Sequence, residues 1–245
     1  MKTLFVIFSI FFTQIYYACS CMPMNITERI STSDFIAKVK IKKIWLDSKN
    51  KKFHNIEIEV LDLYKGISTK KMKIYSAQMT SCAFLTPENT TWLVFASKDK
   101  DGILSFGFCS GSQNLDKNLS SVQRKMQMLK YLKSQKISMT SKNNVAFVIN
   151  SDSLKKFNGL TESKNNFALY EIVINKDLSI KSVKPIKEFQ TNGINNEILE
   201  ILKTKSKVYP RNRESAISEE EKIIIPLFYY PKEKNDKSFI SPYDL

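Results

Sequence analysis

The chain has 245 residues, 42% of them hydrophobic, and a formal net charge of +14. That length and composition describe an ordinary globular protein of one or two domains, not a disordered or fibrous one. Residues 19–140 carry 20 Lys and Arg against 10 Asp and Glu, whereas 141–245 carry 17 against 14. The basic first half could attract an anionic partner. However, Lys38, Lys40 and Lys42 alternate along a strand rather than clustering with stacking aromatics, so a solvated surface is expected and no nucleic acid.

Residues 1–18 have the build of a secretory signal: Lys2, an apolar run from Leu4 to Phe12, and the small residue Ala18 before the cut. The run is short for a transmembrane span, which needs about 20 apolar residues. Tyr16 stands where a small residue, or a Leu in a lipoprotein signal, is usual. Three fates follow: cleavage to a free Cys19 amine, lipidation of Cys19, or retention as an anchor. An exported, secreted, periplasmic or envelope-associated protein is expected, at a membrane only if Cys19 is lipidated or the signal kept.

Cleavage would start the mature chain at Cys19-Ser20-Cys21-Met22-Pro23, with the two remaining cysteines, Cys82 and Cys109, far downstream. Four cysteines in an exported chain imply two disulfides. A 19–21 bond is strained across one residue, leaving 19–82 with 21–109 or 19–109 with 21–82. Either scheme clamps the N-terminus to the body of the fold, and the bland reading is a staple of that chain end.

From Ser33 the pattern turns to strands. Residues 35–42 and 56–60 alternate with period two, and 61–63 break the alternation as a bulge would. Residues 65–66 form a turn before a short strand at 72–76. A buried-type strand at 92–96, a turn at 99–102 and a returning strand at 103–108 follow. Leu115, Leu119, Val122, Met126 and Leu129 recur at helical spacing. Five short antiparallel strands and a helix suggest an OB-type barrel.

Cys-Ser-Cys-Met-Pro at a mature start, the strand opening Ser33-Asp34-Phe35-Ile36-Ala37-Lys38-Val39, Cys82 ahead of Trp92-Leu93-Val94-Phe95, and a hairpin closing on Cys109 together resemble the netrin-like domain of the tissue inhibitors of metalloproteinases. The likeness is to the short form found in bacterial exported proteins and covers about residues 19–133. It implies an OB-type barrel with disulfides Cys19–Cys82 and Cys21–Cys109. The third disulfide of the animal inhibitors' N-terminal domain and their cysteine-rich C-terminal subdomain are missing.

Residues 134–144 are polar and read as a linker. Beyond them the sequence predicts a strand at 145–149, a helical turn at 152–157, a hairpin of 167–174 with 178–183, a helix at 195–203 and a last strand at 223–230. Pro226 inside that strand favours an edge or a bulge. This ββαβ order, with Asn175-Lys176-Asp177 in the hairpin, Tyr209-Pro210 after the helix and Ile225-Pro226-Leu227-Phe228 in the last strand, resembles the C-terminal domain of TonB-type energy transducers over about residues 165–231. Tyr209 stands where that family usually has Trp, and the family's membrane anchor and proline-rich span are absent. The fold class expected is thus mainly β with α: an OB-type five-stranded barrel plus helix over 19–133, then a small ββαβ domain over 145–231. Residues 232–245 read as a flexible tail.

Chemistry is sparse. The one histidine, His54, reads as a solvated loop residue rather than a general base, and Glu219-Glu220-Glu221 as a solvated turn. Asn25-Ile26-Thr27, Asn89-Thr90-Thr91 and Asn118-Leu119-Ser120 match a glycosylation pattern of little specificity. No enzyme and no cofactor are expected. What remains is the N-terminus. A free α-amine with a pKa of roughly 7.7–8.0 is partly neutral at pH 7 and can donate to a metal. The resemblance implies that the Cys19 amine and carbonyl chelate the catalytic zinc of a target metalloendopeptidase. It further implies that Ser20 enters the substrate pocket, with Cys21, Met22 and Pro23 along the cleft. The competing expectation is an envelope module that binds other envelope proteins, partly through its C-terminal domain, with Cys-x-Cys only a disulfide staple.

Overall fold

A computed structural model describes residues 19–21, 24–117, 120–138, 145–160, 165–191, 193–210, 219–233 and 236–243. The signal reading of 1–18, Met22, Pro23, Asn118 and most of the 134–144 stretch lie outside these residues. Among the described residues no helix is long and apolar enough to cross a membrane.

The first helix of the described residues, α1 (Ile26–Thr32), is one that the periodicity does not suggest. Its signal is present in another guise. Asn25 accepts from the Glu28 N–H at 2.9 Å and its amide donates back to the Glu28 carboxylate at 2.9 Å, a reciprocal cap. Thr27, which falls in one of the glycosylation patterns, is buried and donates to the Ile224 carbonyl at 2.9 Å.

Strands β1 (Phe35–Leu46), β2 (Phe53–Lys65), β3 (Lys71–Tyr75), β4 (Thr91–Lys98) and β5 (Leu104–Gly107) close a five-stranded barrel in the order β1-β2-β3-β5-β4, with β4 returning to β1. Two features differ from the expected short antiparallel set. β1 and β2 run 12 and 13 residues, and β3 pairs with β5 in parallel. The break at 61–63 is a bulge: Lys38 faces Asp62 and Val39 faces Val60, leaving Leu61 as the extra residue. A second bulge leaves Tyr64 unpaired between the Ala37–Leu63 and Ile36–Lys65 positions. At the end of β2, Gly66 has φ 88°, and a Cβ there would lie 2.2 Å from the Asp34 carbonyl oxygen. Only glycine fits that close approach.

A short strand, β6 (Gln113–Asn114), adds to β4, and α2 (Ser120–Ser134) follows. The remaining chain forms β7 (Val145–Ile149), β8 (Phe167–Ile174), β9 (Ile180–Lys187), α3 (Ile194–Thr204), β10 (Ser206–Pro210), β11 (Glu221–Tyr230) and β12 (Phe239–Ser241). β8, β9, β11 and β12 make one sheet in the order β12-β11-β8-β9, and β7 pairs with β10 apart from it. β12 reaches only Phe228–Tyr230 of β11, so among the described residues no strand pairs with Pro226 on that side, as its missing N–H requires.

Three apolar clusters hold this together, and period-two alternation assigns residues to them. Phe35, Ala37, Val39, Ile41, Trp92, Val94 and Ala96 point into the barrel. Their neighbours Ile36, Leu93 and Phe95 point out, into a seam with α1, α2 and the inner face of the second sheet: Phe167, Leu169, Ile224, Phe228 and Tyr230. The other face of that sheet packs Tyr170, Ile172, Ile223, Ile225 and Leu227 against Ile194, Ile198 and Leu202 of α3. One core therefore runs across the 134–144 boundary, from the barrel wall into the four-stranded sheet.

Three local expectations are corrected. His54 lies within β2 and is buried, with Nδ1 2.9 Å from the Ser76 hydroxyl, which itself donates to the Lys52 carbonyl at 3.1 Å. Strand alternation turns the ring inward where a loop would have left it in water. Glu221 is not in a solvated turn but begins β11 and is buried. Within the expected loose tail, Phe239 stacks on Tyr230 at 4.5 Å between ring centroids, and Ile240 enters the α3-side core. Apolar burial and three strand pairs outweigh the polar composition there.

Candidate functional site: the clamped N-terminal segment

The two disulfides are Cys19–Cys82 and Cys21–Cys109. They join the segment to two different parts of the barrel rim. Cys82 lies in the loop between β3 and β4, and Cys109 in a 3₁₀ turn (Phe108–Ser110) directly after β5. Cys19 and Cys21 are half-buried, whereas Ser20 between them is exposed. A side chain held out between two covalent anchors is the geometric core of the site.

Each anchor is stiffened from below. In the Cys82 loop, the Ser76 and Ala77 N–H groups donate to the Lys52 carbonyl at 2.9 and 3.2 Å. Phe84 N–H returns to the Ser76 carbonyl at 2.9 Å, and Cys82 N–H donates to the Thr80 hydroxyl at 3.1 Å. The Phe84 ring packs edge-on against Trp92 and Phe106, at 5.7 and 6.1 Å between centroids. Ala77 and Met79 adopt left-handed backbone, φ 41° and 66°, a conformation that costs a non-glycine residue about 1–3 kcal/mol and persists only where the surroundings impose it. The result presents Met79, which is fully exposed, and the exposed Leu85 beside a hollow of about 430 Å³ lined by Gln78, Ala83 and Phe84.

At the other anchor, Arg29 of α1 donates to the Cys109 carbonyl at 3.2 Å. Its side chain lies flat over Gly111 (φ 79°), where a Cβ would come within 2.3 Å of the guanidinium. Burial lowers the Arg29 pKa, the Glu28 charge opposing it. Lys125 of α2 lies close by, and burial together with the charges of Arg29 and Arg124 brings its pKa down to about 8. The ground under Cys109 is thus cationic.

The five residues singled out from the sequence are brought together only in part, since Met22 and Pro23 lie outside the described residues. The loop around Met79 and Leu85 escapes a reading of the sequence. Its one available signal is the cysteine at its centre, because its conformation depends on the Lys52 carbonyl, more than twenty residues upstream, and on packing against Trp92 of β4. Among the described residues, no three His, Cys, Asp or Glu side chains gather as a metal site. The donor that the described segment itself offers toward a metal is the Cys19 main-chain carbonyl.

No family model matches the chain, and no curated protein matches it.

Proposed function

We propose that the processed chain is a non-enzymatic inhibitor of a zinc metalloendopeptidase. The α-amine and carbonyl of Cys19 displace the water at the open position of the catalytic zinc. Ser20 enters the pocket beside it, and Cys21, Met22 and Pro23 lie along the cleft. The observation that carries this reading is the double clamp: Cys19 and Cys21 are each bonded to a separate stiffened loop while Ser20 projects between them. A segment fixed before binding loses little freedom on binding, and that is what turns a weak two-atom chelator into a ligand. The closed barrel with a parallel β3–β5 pair suits an OB-type framework.

The competing reading is an envelope-binding module, with residues 165–231 resembling a TonB-type C-terminal domain and Cys-x-Cys a staple. A lipoprotein form of that reading would put the Cys19 sulfur in a thioether, whereas here it is in a disulfide.

The test is inhibition of a panel of zinc endopeptidases by the whole mature chain, residues 19–245, because the core crosses the 134–144 boundary. One form begins at Cys19 and the other carries a single Ala before it. The extension keeps both disulfides and moves the amine one residue away from the Cys19 carbonyl, so inhibition is expected only from the first form. Ser20→Arg should weaken it to different degrees across the panel. Equal inhibition by both forms, or by neither, would remove the chelation mechanism. Mass spectrometry of the natural N-terminus that found a diacylglyceryl Cys19 would decide for the binding module.

A further inference from the structure

A pocket whose lining includes none of the residues of the N-terminal segment opens between α1, β2 and α2. It has a volume of about 310 Å³ and an apolar floor formed by Ile30, Ile36, Leu129 and Leu132. α1, β1 and α2 supply these four residues, so the floor belongs to the seam core. Its rim is cationic. Lys65 donates to the Ile30 and Ser31 carbonyls at 2.7 and 3.3 Å, using two of its three N–H groups. Lys133 holds Asp62 at 2.7 Å. Lys136 is exposed and has no ion-pair partner among the described residues.

The wall between floor and rim is Tyr64. It is the extra residue of the second β2 bulge, and a bulge re-aims a side chain out of the strand's alternation. Here the side chain joins the pocket lining instead of the barrel interior. Its hydroxyl is buried and leans on the Asp62 carboxylate without a hydrogen bond of ordinary geometry. A buried hydroxyl so loosely placed on its acceptor would gain from a better-aligned one entering the pocket. Burial, with the Asp62 charge beside it, raises the Tyr64 pKa, and burial lowers that of Lys65. The hydroxyl therefore stays a donor at neutral pH, and a desolvated ammonium beside it would gain from an anion.

We propose that this pocket binds a free medium-chain alkyl carboxylate, its chain on the Ile30–Ile36–Leu129–Leu132 floor and its carboxylate at the Tyr64 hydroxyl and the Lys65 and Lys136 ammonium groups. Three features select that class. The floor is hydrocarbon, the acid at the rim, Asp62, is already bonded to Lys133, and the volume lies at the small end of ligand pockets, which span roughly 300–1,000 Å³. The seam is thus a storage or sensing site for a small amphiphile, independent of the inhibitory reading.

The experiment is calorimetric titration of the mature chain with decanoate below its micelle threshold, beside decanol and decyltrimethylammonium. Decanoate is expected to bind saturably at one site. Decanol should bind at least about tenfold more weakly, as for loss of a hydrogen bond to a charged group, and the cation not at all. Tyr64→Phe should weaken decanoate by about tenfold and leave decanol unchanged. Lys136→Glu, an exposed change that spares the core, should also weaken decanoate. Leu129→Phe fills the floor and should abolish binding, with circular dichroism confirming the fold. Equal affinity for decanol and decanoate would overturn the proposal. So would binding untouched by Tyr64→Phe and Lys136→Glu, or capture by anionic phospholipid vesicles without any binding of decanoate.

Discussion

The barrel and the four-stranded sheet solve the same problem in different ways. Closure gives the barrel strands partners on both sides and an interior filled by their own inward residues, from Phe35 to Phe106. The sheet is open, and both of its faces are apolar, so each must be covered by something else. α3 covers one face, while α1, α2 and the outward residues of β1 and β4 cover the other. The barrel thus fills its own interior, whereas the sheet borrows the barrel wall to cover its inner face.

The largest expected effect comes from cutting into that shared wall. Phe228 is fully buried in the seam, and Phe228→Ala should cost about 3–5 kcal/mol. Denaturant unfolding followed by tryptophan fluorescence, which reports on the barrel, and by hydrogen exchange of β8 and β11 should show the sheet losing protection first. Equal loss in both regions would mean that the barrel depends on the seam as much as the sheet does.

Removing the rim staple comes next. Replacing Cys21 and Cys109 together by Ser opens a loop of 88 residues and should cost about 2–5 kcal/mol. The loss is expected in the barrel and little in β8–β11, the reverse of the Phe228 pattern. A drop in sheet protection as large as that in the barrel would erase the contrast.

A smaller effect isolates a buried side-chain hydrogen bond from α1 to β11. Thr27→Val keeps the shape and removes the donor to the Ile224 carbonyl, for an expected loss of about 1–2 kcal/mol in chemical denaturation. An unchanged midpoint would show that the helix is held to the sheet by packing alone.

The smallest effect is a pH dependence confined to the barrel rim. Asp47 accepts from Lys73 at 2.7 Å and from the Lys49 N–H at 2.9 Å, and the hydrogen bond from Lys73 leads in holding its pKa below the usual carboxylate value. A folded pKa below the unfolded one gives stability that is present above about pH 4 and lost as pH falls through the folded value. Asp47→Asn should therefore flatten the acid limb of the stability–pH curve and leave its neutral part parallel to the wild type. An acid limb of unchanged slope would assign it to other carboxylates.

Much of this architecture is legible in the order of the residues. Alternation at 35–42 and 56–60 locates β1 and β2, and the break at 61–63 locates the Leu61 bulge. The unbroken apolar runs at 92–96 and 223–230 say more than that a strand is there. Both faces of β4 and β11 are buried, and residues that need not alternate because both sides are dry are what such strands contain. The pairing of Cys19 with Cys82 and of Cys21 with Cys109 follows from a resemblance, since spacing leaves two schemes open. α1 escapes because seven residues give too little periodicity, although Asn25 and Glu28 mark its start.

The sequence by itself determined many of the local choices: where most of the longer strands and two of the helices lie, where β2 first bends, and that two cysteines at the start must bond two far away. These depend on neighbouring residues and on covalent reach. Only the tertiary structure decided what depends on surfaces meeting from distant parts of the chain. The barrel closes through a parallel β3–β5 pair, His54 faces inward, residues 239–241 dock on β11, and the barrel wall and the sheet share one core. Alternation says which side chains share a face, but not which other face will cover them, because burial is non-directional and any complementary apolar surface will serve.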